Sequence, residues 1–329
     1  MEPFTDPAEQ YALFASDASD SPCFSAWAAA VAQDEEVLAW LSTLPPIKQQ
    51  PNLVFAAARW HGVPAPGPYD ALRAALLGDD GSIRATILQR STQTNEAGRM
   101  ATLLPAFASL GLSEPISLLE VGASAGLCLY PDRWGYAWST DAGPVLLGEE
   151  PRLRCEVRGG HAPLPEQLPQ VAWRGGLDLN PGDVTDEDAM AWLENLMWPE
   201  QDERRERLRQ AIKIARADPP HLVRGDLLTD LPALIEVAAV HGPVVVFHSA
   251  VIAYLEPADR ERFHDLMTGL VADGVCHWVS NEGKRVLSRV TETGPPVPEE
   301  HSTFVTGVDG RAVAWTHGHG RSMRWVAEA

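Results

Sequence analysis

The chain has 329 residues, 45% of them hydrophobic, enough for a sizeable core in one large unit or two smaller ones. Its formal net charge of -19 disfavours a nucleic-acid partner, which needs a basic face against phosphates, and disfavours docking on anionic lipid. Cys23, Cys128, Cys155 and Cys276 stand far apart with no C-x-x-C pair, so neither a metal centre nor a disulfide framework is expected. Reduced thiols in a cytoplasmic protein are the expectation. The acidic start MEPFTDPAEQ lacks the apolar run of a signal peptide, and no stretch approaches the roughly 18 apolar residues of a membrane span.

Residues 1–112 read as a helical N-terminal cap domain. PAEQYALFA, FSAWAAAVA, DEEVLAWLSTL, NLVFAAARW and YDALRAALL carry apolar residues at helical spacing. Pro45-Pro46, Gly62 and Gly78 supply stops for the last three. From residue 113 the texture changes. ISLLEVG is a short apolar run closed by glycine, as a buried parallel strand is. VAWRGGLDL, HLVRGD, PVVVFHSAVIAYL and VCHWVSNEG follow, separated by the helical DAMAWLENLMW, ERRERLRQAIKIA and DRERFHDLMTGLVADG. Strand alternating with helix predicts an α/β domain over 113–329 with a doubly wound, mostly parallel sheet. YAWST and PRLRCEVRG predict a hairpin insertion near 130–160. The tail predicts antiparallel strands around an Asp309-Gly310 turn. Thr293–Glu300 reads as a Pro-rich loop or lid.

The motif LLEVGASAGL follows the first strand. Glu120, Gly122 and Gly126 form E-x-G-x-x-x-G. Glycines let backbone approach a ligand, and a following helix is expected to offer free N–H groups. An acid here suits the ammonium and hydroxyl groups of S-adenosylmethionine better than a pyrophosphate. The dinucleotide pattern G-x-G-x-x-G is absent, because Ser124 stands at its second glycine. The loop Gly122-Ala123-Ser124-Ala125-Gly126 is also G-x-S-x-G, the nucleophile elbow of α/β-hydrolases. On that reading Ser124 is the nucleophile of a serine esterase, with Asp226 and one of His248, His317 or His319. The long helical stretch before the loop counts against it. A non-catalytic nucleotide-binding protein is a third reading.

An acid ending the second strand would hold ribose hydroxyls. Asp178, followed by the Asn180-Pro181 turn, is the first candidate, with Asp141 and Glu156 as rivals. Asp226 after the third strand is placed at the adenine, or alternatively caps its own turn. His248 ends the fourth strand and is the candidate general base for the methyl acceptor. Ser249 and Asn281-Glu282 are expected to line the substrate pocket. Gln93, Thr94, Asn95, Glu96 and Arg99 form a polar cluster that serves either as a helix start or as a cap over the site. Tyr254 is expected in the core.

QPNLVFAAARW, QTNEAGRMATLLPAF, LLEVGASAGLCL, RCEVRGG, GLDLNPGDVTDEDAMAWLENLMWPEQDERRERLRQAI, VVVFHSAVIAYL and HGHGRSMRW together resemble the bacterial family catalogued as domain of unknown function 2332, from about residue 50 to the C-terminus. The resemblance implies a class I methyltransferase-like Rossmann fold and carries no assigned reaction. It places Gln93, Asn95, Glu96, Arg99, Glu120, Gly122, Ser124, Gly126, Asp178, Asn180, Asp183 and His248 in shared motifs. The combined expectation is an S-adenosylmethionine-dependent methyltransferase acting on an oxygen or nitrogen of a small molecule.

Overall fold

The computed structural model describes residues 6–18, 20–93, 95–159, 161–298 and 303–327. The N-terminal helices start where short polar side chains can satisfy free backbone N–H groups. Asp6, Ser21 and Asp34 accept from the first turns of α1 (Pro7–Asp17), α2 (Pro22–Val31) and α3 (Glu35–Leu41). Then come α4 (Pro51–Trp60), α5 (Tyr69–Leu77) and α6 (Ser82–Gln89). The sequence reading missed α6, a short helix that buries only Ile83 and Ile87. Gly78 ends α5, as expected.

The chain divides into two compact units, Met1–Gln93 with Asp186–Arg209, and Thr94–Thr185 with Gln210–Ala329. This differs from a boundary at 112/113. The reason lies in the aromatic and polar side chains of 186–209. Phe55 sits at the centre of the first unit, its ring 5.1 Å from Phe24, 5.4 Å from Trp27 and 5.8 Å from Tyr11. Trp198 joins this cluster edge-on to Phe14, and its indole N–H donates to Asn52. On α8 (Glu187–Leu196), which α9 (Asp202–Ala217) follows, Trp192 meets Trp60, and the Arg90 guanidinium lies 5.1 Å from both rings. Glu200 accepts from the Ser21 hydroxyl and the Cys23 N–H. Residues 186–209 therefore complete the helical core.

Among the described residues, the second unit is built on one sheet of eleven strands. In chain order they are β1 (Ile116–Val121), β2 (Gly135–Thr140), β3 (Gly143–Leu147), β4 (Arg152–Arg158), β5 (Val171–Asp178), β6 (His221–Arg224), β7 (Val244–Ser249), β8 (His277–Gly283), β9 (Phe304–Val308), β10 (Arg311–Thr316) and β11 (Ser322–Trp325). Their spatial order is β3-β2-β4-β11-β10-β9-β8-β7-β1-β5-β6. The five strands β6-β5-β1-β7-β8 are parallel, and β9, β10 and β11 continue antiparallel. The protein is thus α/β with a mixed, mostly parallel sheet.

Leu119 and Val121 of β1 point toward α10 (Leu231–Ala239) and α11 (Pro257–Ala272), sharing a core with Leu234, Ile235, Phe263 and Met267. The opposite face meets α7 (Met100–Ser109), where Phe107 packs edge-on to Phe247 at 5.6 Å. Asp309 and Gly310 join β9 to β10 with positive φ at both, the conformation that a tight hairpin turn requires. The region near 130–160 is more than a hairpin. It contributes β2, β3 and β4, and β4 pairs with β11, so it extends the main sheet. Thr94, Glu299 and Glu300 lie outside the described residues. No helix among the described residues is long and apolar enough to cross a membrane.

Candidate functional site

The parallel strands end together at one edge, where β1 lies between β5 and β7. The order of the strands reverses around β1, and ligands of open α/β sheets bind beyond the carboxyl ends at such a point. Two carboxylates end adjacent strands there, Glu120 on β1 and Asp178 on β5.

Between them runs the 122–126 turn. Its tight course is set from inside the protein. Gly122 has φ +67°, and a Cβ there would lie 2.4 Å from a Val251 methyl. Gly126 has φ +70° and faces Pro220 and Leu222. Ala123 packs on Gly176, where a Cβ would lie 2.3 Å from its methyl, which explains the glycine in the middle of β5. No helix follows this turn. Residues 122–134 run as turns into β2, so the expected helix N-terminus is absent from the site. The reason is local: GLCLYPDRWG has Pro131 and Gly135 and no helical apolar spacing. An ion pair holds this stretch. Buried Arg174 of β5 bonds both oxygens of Asp132 at 2.9 and 3.0 Å and the Leu129 carbonyl.

Asp178 and Asn95 meet at the turn. Asp178 accepts from the Ser124 N–H at 2.8 Å and from the Asn180 N–H at 2.7 Å. The Asn95 amide donates to the Ser124 hydroxyl at 2.8 Å and accepts from the Ala125 N–H. Glu96 accepts from the Gly98 N–H, capping the 3-10 turn before α7. Arg99 donates to the carbonyls of Gly318 and Ser249 at 2.7 and 3.0 Å, tying two loops to this turn. Asn95, Glu96, Arg99, Glu120 and Ser124 are all buried.

Glu120 is 6% exposed, and its Oε2 has no hydrogen-bond partner among the described residues. Burial pushes its carboxyl well above the usual range and Asp178 adds to this, while Arg99 and a hydrogen bond with Cys128 oppose it. Burial and the neighbouring Glu120 likewise push the Cys128 thiol up. A thiol pushed up in this way is not an activated nucleophile.

Other candidates fall elsewhere. His248 is fully buried on the α11 face, opposite Glu120 and α7. Its Nδ1 lies 2.7 Å from Glu282 Oε1, and its Nε2 lies 3.1 Å from the Trp278 indole N–H. An indole can only donate, so Nε2 accepts and Nδ1 carries the proton. Both nitrogens are engaged, which leaves no lone pair for a substrate proton. The general-base assignment is corrected on this ground. Glu282 shares that face, 2% exposed, with its Oε2 unpartnered among the described residues. Its Oε1 also accepts from the Val251 and Ile252 N–H groups. Asp226 is exposed and accepts from the Leu228 N–H, so it caps its own turn. Asn180 is exposed and accepts from Arg224. Gln93 ends the first unit, half-buried.

Asp141, exposed in the β2–β3 turn, and Glu156, exposed on β4 and paired with Arg158, lie on strands remote from β1 in the sheet order, which leaves Asp178 as the acid beside the turn. Ser124 has the positive φ of 51° that an elbow residue has, but the hydrogen bond to its hydroxyl comes from Asn95 rather than a histidine. Ser249 accepts on its hydroxyl from Asn281, whose own carbonyl accepts from Thr306 and Thr316. That network crosses four strands and went unseen in the sequence, because its threonines come from distant hairpin strands. Tyr254 is exposed, not core.

A search of curated proteins finds no match to the chain. A family described as an uncharacterized protein conserved in bacteria, DUF2332, matches residues 8–325. The match spans nearly the whole chain, both units included, and the chain belongs to that family.

Proposed function

We propose that the protein is an S-adenosylmethionine-dependent methyltransferase acting on an oxygen or nitrogen of a small molecule, with a class I methyltransferase-like Rossmann core. The observation that carries the reading is the pair Glu120 and Asp178 at the ends of adjacent parallel strands, with the 122–126 turn between them. The order β6-β5-β1-β7-β8, followed by antiparallel β9, supports the fold assignment.

The residues present fit the cofactor at two points. The unpartnered oxygen of Glu120 suits an ammonium group. Asp178 is half-buried, and its two hydrogen bonds leave lone pairs for ribose hydroxyl donors. Adenosylmethionine, when bound, supplies a methyl group on a sulfonium. The chain's part is then to orient: Asp178 fixes the Ser124 amide and the nucleoside, Glu120 holds the amino end, and Arg99 fixes the Ser249 loop beside them. Positioning of two reactants accounts for a large share of the rate in such transfers. His248 has no part in proton transfer here. The serine-esterase reading is weaker, because Ser124 lacks a histidine partner and Asp226 is engaged in its own turn.

The test is production of adenosylhomocysteine from adenosylmethionine in the presence of pooled small hydroxyl and amine acceptors. Acceptor-dependent product formed by the wild type and reduced at least tenfold in Glu120→Gln is the expected result, since an ammonium group placed beside Glu120 favours loss of its proton and a charged pair that glutamine cannot form. Equal product from both proteins contradicts the assignment of Glu120.

A further inference from the structure

The buried His248–Glu282 pair lies on the sheet face away from Glu120, yet it reaches the cofactor turn through one loop. Trp278 and Glu282 lie four residues apart on β8 and so share a face, with Ser280 between them paired to His248. Trp278 is fully buried among Phe263, His264 and the His248 ring. It fixes Nε2 of that ring, and the ring's Nδ1 proton meets Glu282. One oxygen of Glu282 thus gathers three donors: His248 Nδ1–H at 2.7 Å, the Val251 N–H at 3.0 Å and the Ile252 N–H at 3.1 Å. Hydrogen bonds to a carboxylate are roughly twice as strong as neutral ones, so this oxygen is a firm anchor.

What it anchors is a strained loop. Ala250 has φ +60°, a conformation that a residue with a Cβ adopts only when its surroundings impose it. The next side chain, Val251, fills the space beside Gly122 so closely that any Cβ there would strike two of its methyl groups. On the other side of Ala250, Ser249 is held by Arg99 and Asn281. The loop therefore has two fixed ends, and Val251 is its contact with the glycine turn.

We infer that Glu282 is a positioning residue: by holding the Val251 and Ile252 amides against His248, it braces the Gly122 turn from the opposite face of the sheet. The consequence for cofactor affinity rests on the methyltransferase reading, whereas the mechanical link does not.

The experiment is amide hydrogen exchange followed by mass spectrometry on peptides covering 249–255 and 120–127, in wild type, Glu282→Gln and Val251→Ala. Val251→Ala removes the side chain that meets Gly122 but keeps the backbone donor to Glu282. Glu282→Gln is expected to speed exchange in both segments by about tenfold, the effect of losing the charge on a shared acceptor. Val251→Ala is expected to speed exchange in 120–127 alone. Acceleration confined to 249–255 in Glu282→Gln, or in neither segment, overturns the inference. If Glu282→Gln loosens the whole chain, Val251→Ala decides, and unchanged exchange in 120–127 overturns it. Adenosylmethionine added to each protein separates the two claims. Failure of the wild type to bind it contradicts the methyltransferase reading and leaves the exchange result standing.

Discussion

Glu120 ends its strand as a carboxyl in a place that water scarcely reaches. Burying a charge is costly unless it is paired, and the Arg99 guanidinium only partly offsets that cost. The carboxyl is held above its ordinary range in the folded chain, so the sign of its pH effect follows. Below the usual carboxyl range both folded and unfolded chains hold the proton and there is no charge to bury. As pH rises toward the folded value, the unfolded chain ionises freely while the native chain does not, and native stability falls. Glu120→Gln never ionises. The variant is expected to melt higher than wild type at pH 7, with the gap closing as the pH approaches about 4. Melting followed by circular dichroism across pH checks this. A gap that widens toward acid contradicts it. The same substitution is expected to lose ligand binding, so stability and function pull in opposite directions at this residue.

Among the elements, Phe55 on α4 is the hub of the helical unit, in contact with the rings of Tyr11, Phe14, Phe24 and Trp27. Phe55→Ala is expected to cost about 3–5 kcal/mol, the usual range for removing a fully buried ring. Urea unfolding followed by tryptophan fluorescence measures it, and a loss below about 1 kcal/mol argues against a shared aromatic core. Much at this scale was legible in the sequence. The runs ISLLEV, VVVFHS and HWVSNEG are short, apolar and ended by turn residues, and each became a parallel strand. The Asp309-Gly310 turn was equally plain. β3 was hidden because GPVLL is a half-exposed edge strand with a proline and no clear alternation of burial by residue type. The unit boundary was hidden because the place of residues 186–209 depends on where Trp192, Trp198 and Glu200 find partners. The role of His248 was hidden for a similar reason. Its position at a strand end was readable, but the partners that occupy its nitrogens come from β8, some thirty residues on.

For the whole molecule, the dominant fact is charge. At a formal -19, the chain surrounds itself with a negative potential that draws cations and is screened by salt. Adenosylmethionine carries one net positive charge through its sulfonium, whereas adenosylhomocysteine carries none. Affinity for the first is therefore expected to fall between low and moderate salt, and affinity for the second to change much less. The central claim is that the Glu120–Asp178 edge of the sheet binds this cofactor. Calorimetric titration of the full chain with adenosylmethionine tests it most directly, with Asp178→Ala titrated alongside. The account predicts one site per chain with a dissociation constant on the order of micromolar, weakened at least tenfold in the variant. Absence of binding heat at several temperatures, from a wild-type chain that melts cooperatively, would contradict it.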